Sequence, residues 1–121
     1  MREIKFRAFS KVAQQIINWE KIKEKRNLHR LIKNSEYYLM QYTGLKDKND
    51  VEIYEGDICL IENCFINFKD KLYSYIGEVK YTACRFMVVD EYLNSLSPFE
   101  YKNSIKVIGN IYENPELLEQ E

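Results

Sequence analysis

The chain has 121 residues, 45% of them apolar and 14% aromatic, and 18 basic against 19 acidic residues give a net charge of −1. This length suits one domain, residues 1–121, and is too short for two ordinary domains. The near-zero charge excludes a general electrostatic preference for nucleic acid or anionic membrane. The aromatic share favours β structure, because aromatic rings pack well on a half-buried pleated surface.

Cysteine usage and the N-terminus indicate the compartment. The three cysteines are odd in number, and the first residues lack the apolar segment of a secretion signal. Reduced thiols in a cytoplasm are therefore expected. No apolar run approaches the roughly 20 residues that a membrane helix requires, so we expect a soluble protein with no membrane partner.

The first segments of the chain favour strands. Residues 2–9 alternate charged and apolar side chains, which predicts a half-buried strand. Residues 12–17 are rich in β-branched side chains and fit a partner strand. Their apolar positions also fit helical spacing, so residues 12–33 are compatible with a strand followed by a helix or with one long helix.

We favour a helix that runs from Trp19 to about Lys33. Asn18 is suited to its N-cap, Glu20 suits its first turn, and a break is expected near Asn27. Five apolar side chains on this helix are expected to face the core: Trp19, Ile22, Leu28, Leu31 and Ile32.

The chain is organised around residues 39–61, which read as strand, turn, strand, turn, strand. The turn signals are Gly44, Asn49, Asp50, Gly56 and Asp57. Gly56 is expected to take a positive φ, and the Asp57 carboxylate to accept hydrogen bonds from turn amides. We therefore predict structural roles for these residues.

The second half reads as further short strands. The predicted segments are a connection at 62–72, strands at 73–81 and 84–89, an irregular segment at 90–101, a strand at 105–111 and a helical turn opened by Asn114-Pro115. Gly77 is expected to mark a bulge or a sharp bend. The residues expected to be largely buried are Ile53, Ile58, Leu60, Val79, Phe86, Val88, Val107 and Ile111.

These elements predict an α+β fold that is mainly β. The expected architecture is a small, strongly curved antiparallel sheet or SH3-like barrel, with about seven strands and one helix in the N-terminal third. The Glu55-Gly56-Asp57-Ile58 turn and the later Gly77-Glu78-Val79 are typical of such barrels. Edge strands of a curled sheet leave oligomerisation open.

We expect no metal site. A calcium loop beginning at Asp47 would hold Val51, Glu52 and Ile58 where an EF-hand needs a ligand, Gly and Glu. Structural zinc needs two closely spaced ligand pairs. This chain offers one pair, Cys59 and Cys64, so we interpret its cysteines as small buried hydrophobes.

We likewise expect no catalytic residues and no cofactor. The single histidine, His29, lies in a Lys/Arg-rich segment and is expected to be solvated, which leaves no partner for a nucleophile. There is no Walker loop and no dinucleotide fingerprint.

A basic face is the one feature with a candidate binding role: Lys21, Lys23, Lys25, Arg26, Arg30 and Lys33. Its simplest interpretation is a solvated helix face. Alternatively, it contacts phosphate backbone or an acidic protein. A third alternative is internal, because residues 113–121 carry four glutamates and no basic residue and would neutralise this face by folding against it.

Four segments resemble the YopX family: MREIKFRA at 1–8, LMQYTGLKDKN at 39–49, EIYEGDI at 52–58 and VIGNIYENPEL at 107–117. The resemblance covers nearly the whole chain and implies an origin in bacteriophages or prophages, with an uncharacterised molecular function. The cytoplasm implied by the reduced thiols would then be that of a bacterial host cell. One departure is that Asp50 follows Asn49 where the family pattern has Gly. A hairpin with a slightly different loop is expected there.

These observations favour a non-enzymatic binding module in phage or prophage biology. The expected partner is a host or phage protein, which includes interference with host defence. The alternative is a nucleic-acid-associated accessory protein that uses the basic face, and a small hydrolase is a distant third.

Overall fold

Nine strands and two short α-helices make up the part of the chain that the computed structural model describes, residues 3–25, 28–65, 72–82, 84–90, 95–96 and 104–119. The strands are β1 (Phe6–Ser10), β2 (Gln15–Ile17), β3 (Tyr37–Lys46), β4 (Glu52–Tyr54), β5 (Asp57–Phe65), β6 (Leu72–Thr82), β7 (Arg85–Val89), β8 (Ser95–Leu96) and β9 (Ile105–Asn110). The helices are α1 (Trp19–Lys25), α2 (Leu28–Lys33) and a 3₁₀ helix (Pro115–Glu119).

The strands form two antiparallel sheets. Sheet 1 has the order β2-β1-β3-β4, and sheet 2 has the order β8-β7-β6-β5-β9. Together they make a curled half-barrel, which confirms the mainly β, α+β prediction. No helix in the described part of the chain is long and apolar enough to cross a membrane.

The N-terminal third is a strand pair followed by helices, which decides between the two alternatives for this segment. β1 begins at Phe6, later than predicted, and pairs with β2. Asn18 caps α1 as predicted, because its Oδ1 accepts a hydrogen bond from the Lys21 N–H at 3.0 Å. The single predicted helix is instead two, and the break expected near Asn27 lies outside the described residues.

The helices cover one face of sheet 1. Ala8 and Ile17 from the sheet form a buried cluster with Ile22 and Leu31 from the helices. Ile32 is 60% exposed, so its predicted core position was wrong. Successive helix residues lie about 100° apart around the axis, and a helix that buries Leu31 therefore turns Ile32 away.

The second half contains more strand than predicted. Residues 62–65 belong to β5 instead of a connection, and β8 lies within the segment predicted to be irregular. Residues 66–71, 91–94 and 97–101 of those segments lie outside the described part of the chain. The predicted strands at 73–81, 84–89 and 105–111 and the helical turn at Pro115 are confirmed as β6, β7, β9 and the 3₁₀ helix.

Gly77 marks a close approach and not a bulge. Its pairing with Cys59 is regular, whereas the register of β5 and β6 shifts between Ile61 and Cys64. A Cβ at Gly77 would lie 2.7 Å from the Val89 carbonyl oxygen, which is closer than real Cβ contacts. The side-chain-free residue therefore lets β7 lie close to β6.

The main core lies on the inner face of sheet 2, where Ile53 of β4 packs against buried residues of that sheet. Of the residues predicted to be buried, four are: Ile53, Ile58, Val79 and Val88. The other four are half-buried: Leu60, Phe86, Val107 and Ile111. Leu60 lies on the opposite face of β5 from the core residues Cys59 and Ile61.

The C-terminal segment is held against sheet 1 by aromatic stacking. The Tyr112 ring lies between Phe9, with centroids 5.0 Å apart, and Tyr38, at 4.7 Å. In the described part of the chain, the tail glutamates form no ion pair with the basic residues of the helices. The proposed neutralisation of the basic face by the tail is therefore not seen there.

Candidate functional site

The predicted turn at Gly56 joins the two sheets. Gly56 has φ +83°, as expected, and its N–H donates to the Val79 carbonyl of β6 at 2.9 Å. The preceding Glu55 N–H donates to the Gln41 carbonyl of β3 at 2.9 Å, and the Ile111 N–H donates to the Gly56 carbonyl at 2.9 Å. This turn therefore holds three distant segments through its backbone.

Asp57 has the structural role that the sequence predicted, because its carboxylate accepts a hydrogen bond from a turn amide. Its carboxylate accepts a hydrogen bond from the Tyr54 N–H at 2.8 Å and another from Arg7 Nη2 at 2.5 Å. The Arg7 guanidinium also lies over the Tyr54 ring, 4.7 Å from its centroid. Asp57 is only 1% exposed, so this ion pair is a buried link between β1 and β5.

Asp47 has a similar role that the sequence did not reveal. Its buried carboxylate accepts hydrogen bonds from the Asn49 and Val51 amides of its own hairpin, at 2.8 and 2.9 Å. It also accepts one at 2.9 Å from the Val107 amide of β9. Asp47 therefore stabilises its own hairpin and attaches that hairpin to sheet 2.

The other two predicted turns differ in outcome. The turn predicted at Gly44 was wrong, because β3 continues through it to Lys46; Gly44, with φ +90°, lies within a register shift of β3 against β4. Of the Asn49-Asp50 pair, only Asp50 has a positive φ, +65°. A type I′ turn would need two such residues, so the hairpin survives with the different loop expected from the replacement of Gly by Asp.

The cysteines do not share one environment. Cys59 is buried as predicted, and burial raises the pKa of its thiol. Cys84 is exposed at the tip of the β6–β7 hairpin with φ +65°, so its predicted burial was wrong. Cys84 is exposed and Cys59 is buried because no other element packs over the tip of a hairpin. The Cys64 side chain lies outside the described residues, and His29 is exposed.

The basic face is solvent-exposed where the structure describes it. Lys21, Lys23, Arg30 and Lys33 are exposed, whereas the side chains of Lys25 and Arg26 lie outside the described residues. Lys23 Nζ also pairs with the Glu20 carboxylate at 3.2 Å. Lys21 and Lys23 lie on α1, whereas Arg30 and Lys33 lie on α2.

An open groove lies between β3 of sheet 1 and the β6–β7 hairpin of sheet 2. Its larger part has a volume of about 550 Å³. The residues that line it are Gln41, Thr43, Gly44, Leu45, Glu55, Tyr81, Cys84, Arg85 and Phe86. We call this cavity, together with the adjoining one described next, the inter-sheet groove.

The adjoining cavity, of about 290 Å³, shares Glu55 and Tyr81 with the larger part and adds Glu78, Lys80 and Tyr112. The Glu55 carboxylate is held in position because it accepts a hydrogen bond from the Gln41 N–H at 2.8 Å. Burial raises the pKa of the Glu78 carboxyl, and the charge of Lys80 offsets only part of this effect.

Sequence reasoning did not identify this groove. Tyr81 and Phe86 are cross-strand partners with ring centroids 5.1 Å apart, and Tyr81 is 59% exposed. They lie on the same faces of their strands as the core residues Val79 and Val88. The only sequence signal was that these two aromatic residues flank the connection between the predicted strands at 73–81 and 84–89. Such a pair is equally compatible with a position in the core.

Comparisons with known proteins identify relatives. The family model described as YopX protein matches residues 5–119. The crystal structure of protein EF1440 from Enterococcus faecalis is similar, with a TM-score of 0.64 and 27% identity over 98% of this chain and 99% of that one. Protein yopX from Bacillus subtilis has a similar fold, with a TM-score of 0.60 and 22% identity over 98% and 99% of the two chains. No curated protein matches.

The family model spans almost the entire chain, and its match agrees with the four segments that carry the resemblance. This chain therefore belongs to the YopX protein family.

Proposed function

We propose that this protein is a phage or prophage accessory protein that acts as a non-enzymatic binding module and engages a host or phage protein in the inter-sheet groove. A host defence protein is one such partner. The phage origin rests on the family resemblance. The binding surface rests on the exposed Tyr81 in the wall of the groove.

Tyr81 carries the proposal because its exposure costs free energy that a partner would recover. The ring is 59% exposed, beside Phe86 and Arg85 in the larger cavity. Tyrosine and arginine are enriched among residues that dominate binding energy at protein interfaces, where an aromatic ring buries a large area with little loss of side-chain entropy. The Tyr81 ring, with Phe86 and Arg85 beside it, therefore offers a protein partner an anchor for binding.

The charges of the groove favour protein over nucleic acid. Glu55 and Glu78 lie in its lining together with Lys80 and Arg85. A surface that follows a phosphate backbone is predominantly positive, because its affinity comes from neutralising phosphates and releasing their counterions. Two carboxylates in the same groove oppose such a role.

The test is an affinity capture from host lysate with three immobilised forms of the protein. Wild type is compared with Tyr81→Ser, which removes the exposed ring, and with Lys21→Glu/Lys23→Glu, which reverses charge on the basic face. We expect a partner captured by wild type and the charge-reversed variant but lost with Tyr81→Ser. Capture that survives Tyr81→Ser contradicts binding in the groove.

Nucleic-acid binding through the basic face is the second candidate, supported by the exposure of Lys21, Lys23, Arg30 and Lys33. It requires affinity for single- or double-stranded DNA that falls with salt, with a log-log slope of about −0.7 to −0.9 per phosphate contact. The charge-reversed variant would abolish it. Absence of binding at low salt eliminates this candidate.

A further inference from the structure

β6 has an edge that is only partly paired. The strand is 11 residues long, Leu72–Thr82, but the register of β5 along it ends at Glu78. One residue further, the Val79 carbonyl accepts a hydrogen bond from the Gly56 N–H at 2.9 Å. Beyond Val79, no strand in the described part of the chain pairs with this side of β6. Residues 80–82 therefore form a free strand edge on this side.

The Gly56 turn explains why the protein's own chain leaves this edge open. With φ +83°, Gly56 turns the chain away from β6. The residues before the turn pair with β3 instead, because β4 lies beside β3 and the Glu55 N–H donates to the Gln41 carbonyl at 2.9 Å. The segment that would continue β5 along β6 is therefore part of sheet 1.

The backbone groups of Tyr81 point to the free edge. The N–H and C=O groups of alternate strand residues point to the same side of a strand, so those of Tyr81 share the side on which the Val79 carbonyl is bonded. Those of Lys80 point the other way, to its partner Met87 of β7. Tyr81 is also 59% exposed. It therefore offers one backbone donor and one backbone acceptor that no described strand uses.

This free edge lies in the wall of the inter-sheet groove. Tyr81 lines both the larger cavity, of about 550 Å³, and the smaller one, of about 290 Å³. Unpaired strand edges are templates for pairing with another chain. A single extended chain needs one strand spacing, about 4.8 Å, whereas a second copy of this protein would bring its β7 together with its β6. The space between β3 and the β6–β7 hairpin therefore favours a single extended chain.

We propose that an extended segment of the partner protein pairs with the free edge of β6 at Tyr81 and becomes an additional antiparallel strand of sheet 2. Both described neighbours of β6 are antiparallel to it, and the added segment takes the place that β5 would occupy if it continued. This inference rests on the proposed function, since it names the kind of segment that the groove engages. In such a mode, main-chain hydrogen bonds supply affinity and alternate side chains supply specificity.

The register of the added strand also determines which of its side chains enters the groove. The residue opposite Tyr81 has its side chain on the same face of the sheet as the Tyr81 ring. The larger cavity lies beside that ring and has apolar lining from Leu45 and Phe86. Aromatic and β-branched residues pair favourably with an aromatic cross-strand neighbour. The partner residue opposite Tyr81 is therefore expected to be aromatic or β-branched, whereas its two neighbours point to the other face.

The probe is a library of random octapeptides displayed on filamentous phage and selected on the immobilised wild-type protein. We expect enriched peptides to share an aromatic or β-branched residue at one position. One enriched peptide is synthesised with a fluorophore, and fluorescence polarisation gives its dissociation constants for wild type and Tyr81→Ser. Weaker binding to Tyr81→Ser is expected from the proposed function, and two further measurements test the added strand.

Amide hydrogen exchange, followed by NMR, tests the backbone pairing at Tyr81. In the free protein, the Tyr81 amide should exchange faster than the Lys80 amide, because only the Lys80 N–H points to β7. With the peptide bound, exchange of the Tyr81 amide should slow by at least about tenfold. The Lys80 amide is the matched control, since it faces β7 before and after binding, and its exchange should change less.

N-methylation of the peptide, one residue at a time, is the second measurement. It removes a backbone donor and leaves every side chain in place. In an added antiparallel strand, the N–H of the residue opposite Tyr81 points to the Tyr81 carbonyl, whereas those of its two neighbours point away. Methylation of that residue should therefore weaken binding about tenfold, and methylation of either neighbour should have a smaller effect.

The outcomes separate this inference from the proposed function. A peptide that loses affinity for Tyr81→Ser but leaves Tyr81 amide exchange unchanged, or that tolerates N-methylation at every position, overturns the added strand and leaves the groove as the binding surface. A free protein that sediments as a dimer and already has a slow Tyr81 amide would place a second copy on this edge, which also overturns the inference. A peptide that binds Tyr81→Ser as tightly as wild type, or a selection with no enrichment, overturns both.

Discussion

Removal of the buried Asp57 carboxylate is predicted to be among the most destabilising single changes in the protein. Asp57→Ala leaves the Arg7 charge and the Tyr54 N–H without their partner, in a position where Asp57 is 1% exposed and the Arg7 side chain 14%. Breaking a buried ion pair in this way costs about 3–5 kcal/mol. At about 4 °C per kcal/mol for a domain of this size, the melting temperature should fall by roughly 12–20 °C.

Thermal unfolding followed by circular dichroism measures this effect, and Asp57→Asn provides a form that is more certain to fold. Asparagine retains an acceptor for one of the two donors but not the charge, so a smaller loss is expected. The double mutant Arg7→Met/Asp57→Asn should be more stable than the sum of the single changes predicts, because the pair is coupled. Additive single effects, or a loss below about 0.5 kcal/mol for Asp57→Ala, would refute the buried link.

Three further predictions concern other positions. Gly56→Ala should destabilise the fold by about 1–2 kcal/mol, because alanine is strained at φ +83° and its Cβ would lie 3.1 Å from Met40 Sδ. An unchanged melting temperature would show that the turn does not need glycine. Asp47→Ala should speed hydrogen exchange of the Val107 amide, measured by NMR, and an unchanged rate would contradict the hydrogen bond between them. The folded-state pKa of Glu78 is raised, so its protonated form favours folding and this contribution to stability is lost as pH rises through that pKa. Glu78→Gln should therefore be more stable than wild type to urea unfolding at about pH 7, but not near pH 4.

Local signals in the sequence predicted the Asn49-Asp50 turn, the Gly56 turn and the helix cap, but not the continuation of β3 through Gly44. A glycine at a turn and an asparagine before a helix act through their own backbone, so Gly56 and Asn18 were predictable. Long-range partners were not, because Arg7 and Asp57 are 50 residues apart and no local pattern links them. Residues 62–65 were mistaken for a connection because polar residues interrupt the apolar alternation that indicates a strand.

The groove was harder to predict than the fold. Alternation along β6 and β7 assigns Tyr81 and Phe86 to the inner face of the sheet but does not show where the core ends along that face. Only the curvature of the half-barrel leaves this pair beside a cavity while Val79 and Val88 are buried. The sequence instead indicated the basic face, because its charged residues are close together in the sequence. The residues that line the groove come from distant segments.

Many of the residues that carry the family resemblance have roles in stabilising the fold. Asp47 and Asp57 bind backbone amides, and the Gly56 turn joins both sheets. They account for the shared fold without specifying a ligand. The facing wall of the groove comes from the β6–β7 hairpin, which lies outside those four segments.

The most direct test of the central claim is site-specific photo-cross-linking of the protein to its partner in host cells. Tyr81→p-benzoylphenylalanine places a photoreactive group in the groove, and Lys21→p-benzoylphenylalanine places the same group on the basic face. The proposal predicts a discrete cross-linked protein with the probe at position 81 and none at position 21. A cross-link at position 21 alone would contradict the groove as the binding surface.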